Sequence, residues 1–81
     1  MEEIMEPDEA EKMVSARIKE LRLLRHMSQR QLAEKIGTQA PYVSDLERCI
    51  RSPGVPMLAK LAKALSVHIA DLFSENLRIV A

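Results

Sequence analysis

Eighty-one residues leave room for one small domain, because a chain of this size buries only about 60% of the surface it exposes when unfolded and rarely builds a second core. With 47% apolar and 30% charged residues, but only two aromatics and two glycines, the chain is too hydrophobic for disorder and poorly suited to an all-β sandwich. Twelve basic and twelve acidic residues cancel, yet residues 1–11 hold six acids and no base, so residues 12–81 carry twelve bases against six acids, a net of +6 that suits a polyanionic partner.

Helical periodicity runs throughout. A first helix is expected from Asp8 to about His26: Asp8 and Glu11 stand at capping-box spacing, and Val14, Ile18, Leu21 and Leu24 recur at helical steps on one face. A second begins at Ser28, where Ser28 and Gln31 repeat the box, Met27 is placed to staple onto Leu32, and Leu32, Ala33 and Ile36 form the inner face; it stops at Gly37. A third spans about Gln39 to Arg48 and buries Val43 and Leu46, with Pro41 tolerated in its first turn because the missing N–H removes no intrahelical bond. The stretch CIRSPGV, 49–55, has a proline, a glycine and no period, and reads as a loop.

A fourth helix opens at Pro56 and carries the stripe Leu58, Leu61, Ala62 and Leu65, with Lys60 and Lys63 opposite. After Ser66, VHIADLF is expected to form a short fifth helix with Val67, Ile69, Leu72 and Phe73. The tail SENLRIVA, with Leu77 and Ile79 alternating, fits either an added strand or an apolar strap across a partner subunit. The expected organisation is an acidic extension over 1–11, a helical domain over 12–74 and a tail over 75–81, all-α and built as a compact bundle of about five helices.

Several function classes are excluded by what the chain lacks. One cysteine, Cys49, and two isolated histidines, His26 and His68, offer neither an internal disulfide nor a metal-ligand cluster, so no metal and no cofactor are expected. No apolar run approaches the roughly 20 residues that span a bilayer, and the first residues are acidic where a secretory signal is basic and then apolar, so the expected location is cytoplasmic, away from membranes. Paired carboxylates in a pocket, a nucleophile with its base and a phosphate-cradling glycine loop are all missing, so neither an enzyme nor a small-molecule substrate is expected.

The informative stretch is QRQLAEKIGTQAPYVSDLER, 29–48. Two short helices meeting steeply need a tight pivot, a small residue where their backbones approach and a shared core. Gly37, Ala33 and the set Leu32, Ile36, Val43 and Leu46 supply these, which makes a helix-turn-helix signature. Ile18 to Arg22, Ser28 to Ala33, Gly37, Leu46 to Arg48 and Leu58 to Leu65 stand as five blocks in order, and over about residues 15–73 the chain resembles the Cro and phage-repressor (Xre) type of helix-turn-helix DNA-binding domain, a lambda-repressor-like fold.

The resemblance implies a third helix laid in the major groove of double-stranded DNA and a second crossing the phosphate backbone. It assigns base contacts to Ala40, Pro41, Tyr42, Ser44 and Asp45, and phosphate contacts to Ser28, Gln29, Arg30, Gln39, Arg48 and Arg51. Ala40 and Pro41 can only touch a thymine methyl or exclude bulk, whereas Ser44 donates or accepts and Asp45 accepts from a cytosine amino group; Asp45 is equally placed to pair with Arg48 along the helix. Arg22 and Glu47 occupy positions that form an internal ion pair in the family. Cys49 and Ser66 stand where relatives often have glycine in a left-handed helix cap, so local strain or a different cap is expected.

A single recognition helix reads few base pairs, so a homodimer on a near-palindromic operator is expected, joined through Ile69, Leu72, Phe73, Leu77, Ile79 and Val80. The expected function is that of a sequence-specific transcriptional regulator, similar to small phage repressors and restriction-modification controller proteins. The alternative is an antitoxin-like DNA-binding module whose acidic arm or tail also engages a protein partner.

Overall fold

A computed structural model describes residues 6–73, and these form four α-helices followed by a 3-10 helix: α1 (Pro7–Leu24), α2 (Gln29–Lys35), α3 (Ala40–Glu47), α4 (Val55–Ala64) and the 3-10 turn Ile69–Phe73. The described chain is all-helical, with the fifth element a 3-10 helix in place of an α-helix. Leu77, Ile79 and Val80 lie outside the described residues.

The helix starts follow from local chemistry. Ser28 caps α2 with a complete capping box: its Oγ accepts from the Gln31 N–H at 3.0 Å and its own N–H donates to Gln31 Oε1 at 2.8 Å. In α3, Pro41 stands in the first turn behind Gln39, and in α4 Pro56 does so behind Gly54. The first helix departs from the capping box expected at Asp8 and Glu11. Pro7 takes the first helical position, Glu6 is the N-cap without a side-chain bond, and Asp8 lies inside the first turn. The fixed φ of Pro7 and its missing N–H suit that position, and Asp8 and Glu9 favour the positive end of the helix dipole. Residues 7–11 are thus the opening turns of α1 and not an extension set apart from the domain.

The helix ends share one device. His26, Gly37, Cys49 and Ser66, each just past the C-terminus of α1, α2, α3 and α4, have φ of 57°, 75°, 61° and 58°. Each closes a Schellman motif: His26 N–H donates to Leu23 O and Met27 N–H to Arg22 O, and the same pair of bonds recurs at 37–38, 49–50 and 66–67. Cys49 and Ser66 therefore use the left-handed cap itself, at a cost of about 1–2 kcal/mol each for a residue with a Cβ. His26 belongs to the same group, although nothing local in the sequence marks it.

The core gathers Val14, Ile18, Leu21, Leu32, Ala33, Ile36, Val43, Leu46, Leu58, Leu61, Ala62, Leu65 and Leu72. Full burial of each large aliphatic side chain stabilises the fold by about 1.5–3 kcal/mol. Leu24, expected on the inner face of the first helix, is exposed. The buried stripe of α1 runs instead through Ile18, Leu21 and Arg22 to the half-buried Arg25, whose Nε donates to Leu65 O at 3.0 Å and whose Nη2 donates to Ser66 O at 3.3 Å, tying the ends of α1 and α4 together. Arg17 is also buried, with Nη1 on Glu20 Oε1 at 2.6 Å. At the other end of α1, Ser52 donates to Glu11, which sets the opening turns against the loop that follows α3.

Candidate nucleic-acid interface

The α2–α3 unit is assembled from inside outward. Leu32, Ala33, Val43 and Leu46 seat both helices on the core, and Gly37 turns the chain between them. A Cβ at Gly37 would meet nothing within 4 Å, so glycine is favoured there by the positive φ and not by lack of space. Behind the unit, Arg22 donates from Nε to Glu47 Oε2 at 2.6 Å and from Nη2 to Glu47 Oε1 at 3.0 Å, while its Nη1 donates to Met27 O at 2.8 Å. Both side chains are withdrawn from solvent, at 9% and 3% exposure. This fork ties α1 to the end of α3 and braces the loop that leads into α2.

Seated this way, α3 turns its other face outward. Gln39, Pro41 and Arg48 are exposed, and Ala40, Tyr42, Ser44 and Asp45 are half-buried. One hollow is lined by Gly37, Thr38, Gln39, Pro41, Tyr42, Asp45 and Arg51. A neighbouring one takes Arg30, Ala33, Glu34 and Ala40 together with Thr38, Gln39 and Pro41. The two meet along Thr38, Gln39 and Pro41, so a single surface carries Arg30, Gln39, Ala40, Pro41, Tyr42, Asp45 and Arg51. Thr38 joins this surface as the residue completing the Schellman motif of α2, a position predictable only once the Gly37 cap is recognised.

The charges on that surface are organised around Asp45. Its Oδ1 accepts from Arg48 Nη2 at 3.3 Å and its Oδ2 from Arg51 Nε at 3.4 Å, while the Arg51 guanidinium lies 5.6 Å from the centre of the Tyr42 ring. Arg30 pairs with Glu34 at 3.4 Å, both well exposed. Gln29 behaves differently from its neighbours: its side-chain Nε2 donates to Glu47 Oε1 at 3.1 Å, which engages the amide inside the unit and away from an approaching phosphate. No local sequence signal could have shown this, because the partner lies on another helix.

Two further sets complete the surface account. Ile69 and Phe73 are 40% and 49% exposed, whereas Leu72 is fully buried in the core. The expectation of Leu72 in a subunit contact is thereby corrected: along the 3-10 turn it points inward between α1 and α4. Among the described residues there is no group of three or more His, Cys, Asp or Glu side chains that could hold a metal ion, and no helix is long and apolar enough to cross a membrane.

This fold recurs in solved proteins. The restriction-modification controller protein C.AhdI from Aeromonas hydrophila is 34% identical with a TM-score of 0.73, over 76% of this chain and 94% of that one. The biofilm master regulator SinR, solved in complex with DNA, is 32% identical with a TM-score of 0.70, over 75% of this chain and 98% of that one. In sequence, the immunity repressor protein of Bacillus phage phi105 is 35% identical over 78% of this chain and 44% of its own length. An uncharacterised HTH-type transcriptional regulator of Mycobacterium tuberculosis is 46% identical over 59% of this chain and 34% of its own. The chain thus spans roughly a third to a half of these curated relatives. Residues 18–72 match the family described as helix-turn-helix, and the chain, matched over more than half its length with α2, the Gly37 turn and α3 inside that span, belongs to this helix-turn-helix family.

Proposed function

We propose that the protein is a sequence-specific DNA-binding transcriptional regulator that reads the major groove with α3. The observation that carries this reading is the outward face of α3, with Gln39, Pro41, Tyr42, Asp45 and Arg51 around one hollow, on a fold shared with SinR, a protein solved with DNA bound. Tyr42, Ser44 and Asp45 supply the polar base contacts, and Ala40 and Pro41 the apolar ones. Arg48 and Arg51 hold phosphates beside the end of α3, with Ser28, Gln29, Arg30 and Gln39 at the start of the two helices, where Gln29 contributes through its backbone N–H because its amide is engaged with Glu47.

The regulator works as a homodimer on a near-palindrome, with half-sites about one helical turn, roughly 34 Å, apart. Ile69 and Phe73, exposed apolar residues on the last described turn, support a contact between copies there. Selection of bound sites from random duplexes at fixed salt is the decisive experiment, and an inverted repeat is the expected outcome. Recovery of sequences without any enrichment would overturn specific binding, and sedimentation as a monomer both free and on DNA would overturn the dimer.

A further inference from the structure

We propose, resting on the DNA reading above, that Asp45 couples phosphate clamping to base identity: its carboxylate holds Arg48 and Arg51 until an amino group in the major groove takes their place. The molecule contains two kinds of arginine–carboxylate contact. Arg22 and Glu47 are buried and meet at 2.6 Å, as a permanent structural pair does. Asp45 meets Arg48 and Arg51 at 3.3 and 3.4 Å, with the arginines 65% and 59% exposed, which makes these contacts weak and open to exchange.

One carboxylate thus engages two of the cations that the interface needs for phosphates. When phosphates draw the arginines away, Asp45, 29% exposed at the wall of its hollow, is left as a bare anion facing the groove. A carboxylate only accepts hydrogen bonds. The N4 amino group of cytosine, and less fully the N6 amino group of adenine, can satisfy it, whereas the guanine O6 and N7 and the thymine O4 are acceptors that repel it. A duplex presenting the wrong edge therefore competes poorly for Arg48 and Arg51, while one presenting cytosine releases them at little cost. The Tyr42 ring keeps Arg51 placed over the hollow through the exchange. Asp45 is in this way a specificity-determining residue whose main action is to penalise non-cognate DNA.

The test is Asp45→Asn, which keeps the side-chain shape; the Asp45 carbonyl that accepts from Ile50 and Arg51 N–H groups is backbone and is unaffected. Affinity is measured across a salt series for a selected site and for an unrelated duplex of equal length. The substitution is expected to raise affinity for the unrelated duplex by roughly tenfold, to steepen its salt dependence by about one unit, and to shrink the ratio between the two duplexes by a similar factor. Glu9→Gln, the same charge change at an exposed position of α1 outside both hollows, is the control and should leave that ratio unchanged. In an Arg48→Gln, Arg51→Gln background the Asp45→Asn gain should shrink to the part that comes from the carboxylate's direct repulsion. An unchanged ratio for Asp45→Asn, or a gain of full size without the two arginines, overturns the proposal. Wild-type protein that binds no duplex at all would overturn the DNA reading itself, and the coupling with it.

Discussion

Arg22 is the residue on which the helix-turn-helix leans hardest, since its guanidinium serves Glu47 twice and Met27 O once from a nearly dry position. Removing one partner strands a buried charge. Glu47→Ala should lower stability by about 3 kcal/mol, whereas replacing both residues by apolar ones of similar size should cost much less, because the desolvation penalty disappears along with the attraction; urea unfolding of the single and double variants checks the difference. The left-handed caps offer the opposite sign. Cys49→Gly and Ser66→Gly each relieve about 1–2 kcal/mol of backbone strain and give back about 0.4–1 kcal/mol through a freer unfolded chain, for a net gain near 0.5–1 kcal/mol. Thermal melts should show a rise of a few degrees for each, and a fall would mean that the side chain contributes contacts outweighing the strain.

Among the elements, α2 and α3 are specified locally at almost every point, and their responses to substitution should be correspondingly local. Ser28→Ala removes the Oγ that accepts from Gln31 N–H and should cost about 1 kcal/mol. Gly37→Ala meets no atom within 4 Å, so its cost of about 1 kcal/mol should come from φ alone, and asparagine, which tolerates the left-handed region, should recover part of it. Chemical denaturation of these variants separates backbone strain from steric clash. At α1 the charge pattern misleads about structure. An acidic run reads as a solvated arm, yet Pro7 starts the helix within it and Glu11 bonds to Ser52 beyond α3. Deleting residues 1–11 should therefore lower the melting temperature as well as change the charge, because Ala10 and Glu11 wall the apolar hollow that also holds Val14, Leu58 and Phe73.

For the whole molecule, the net charge of zero conceals a domain that is basic from residue 12 onward, and the arginines beside α3 are where that charge should act on DNA. Arg48→Ala should weaken binding to a selected site and lower its slope of log affinity against log salt by about one unit, and should cost an unrelated duplex less, because there Asp45 still holds the guanidinium; titration at several ionic strengths measures both. An equal loss on the two duplexes would mean that Asp45 does not withhold Arg48 from non-cognate DNA. Periodicity and turn chemistry, both properties of neighbours in the chain, suffice to place four of the helices and the Gly37 pivot, because a helical face and a tight turn are defined within a few residues. What only the tertiary structure decided is which groups meet across the fold: Gln29 turned inward to Glu47, Arg25 capping α4, and Leu72 drawn into the core. Most of these contacts join residues far apart in sequence, and the direction of a long side chain is set by the partner that the packing of helices brings within reach, which no local pattern encodes.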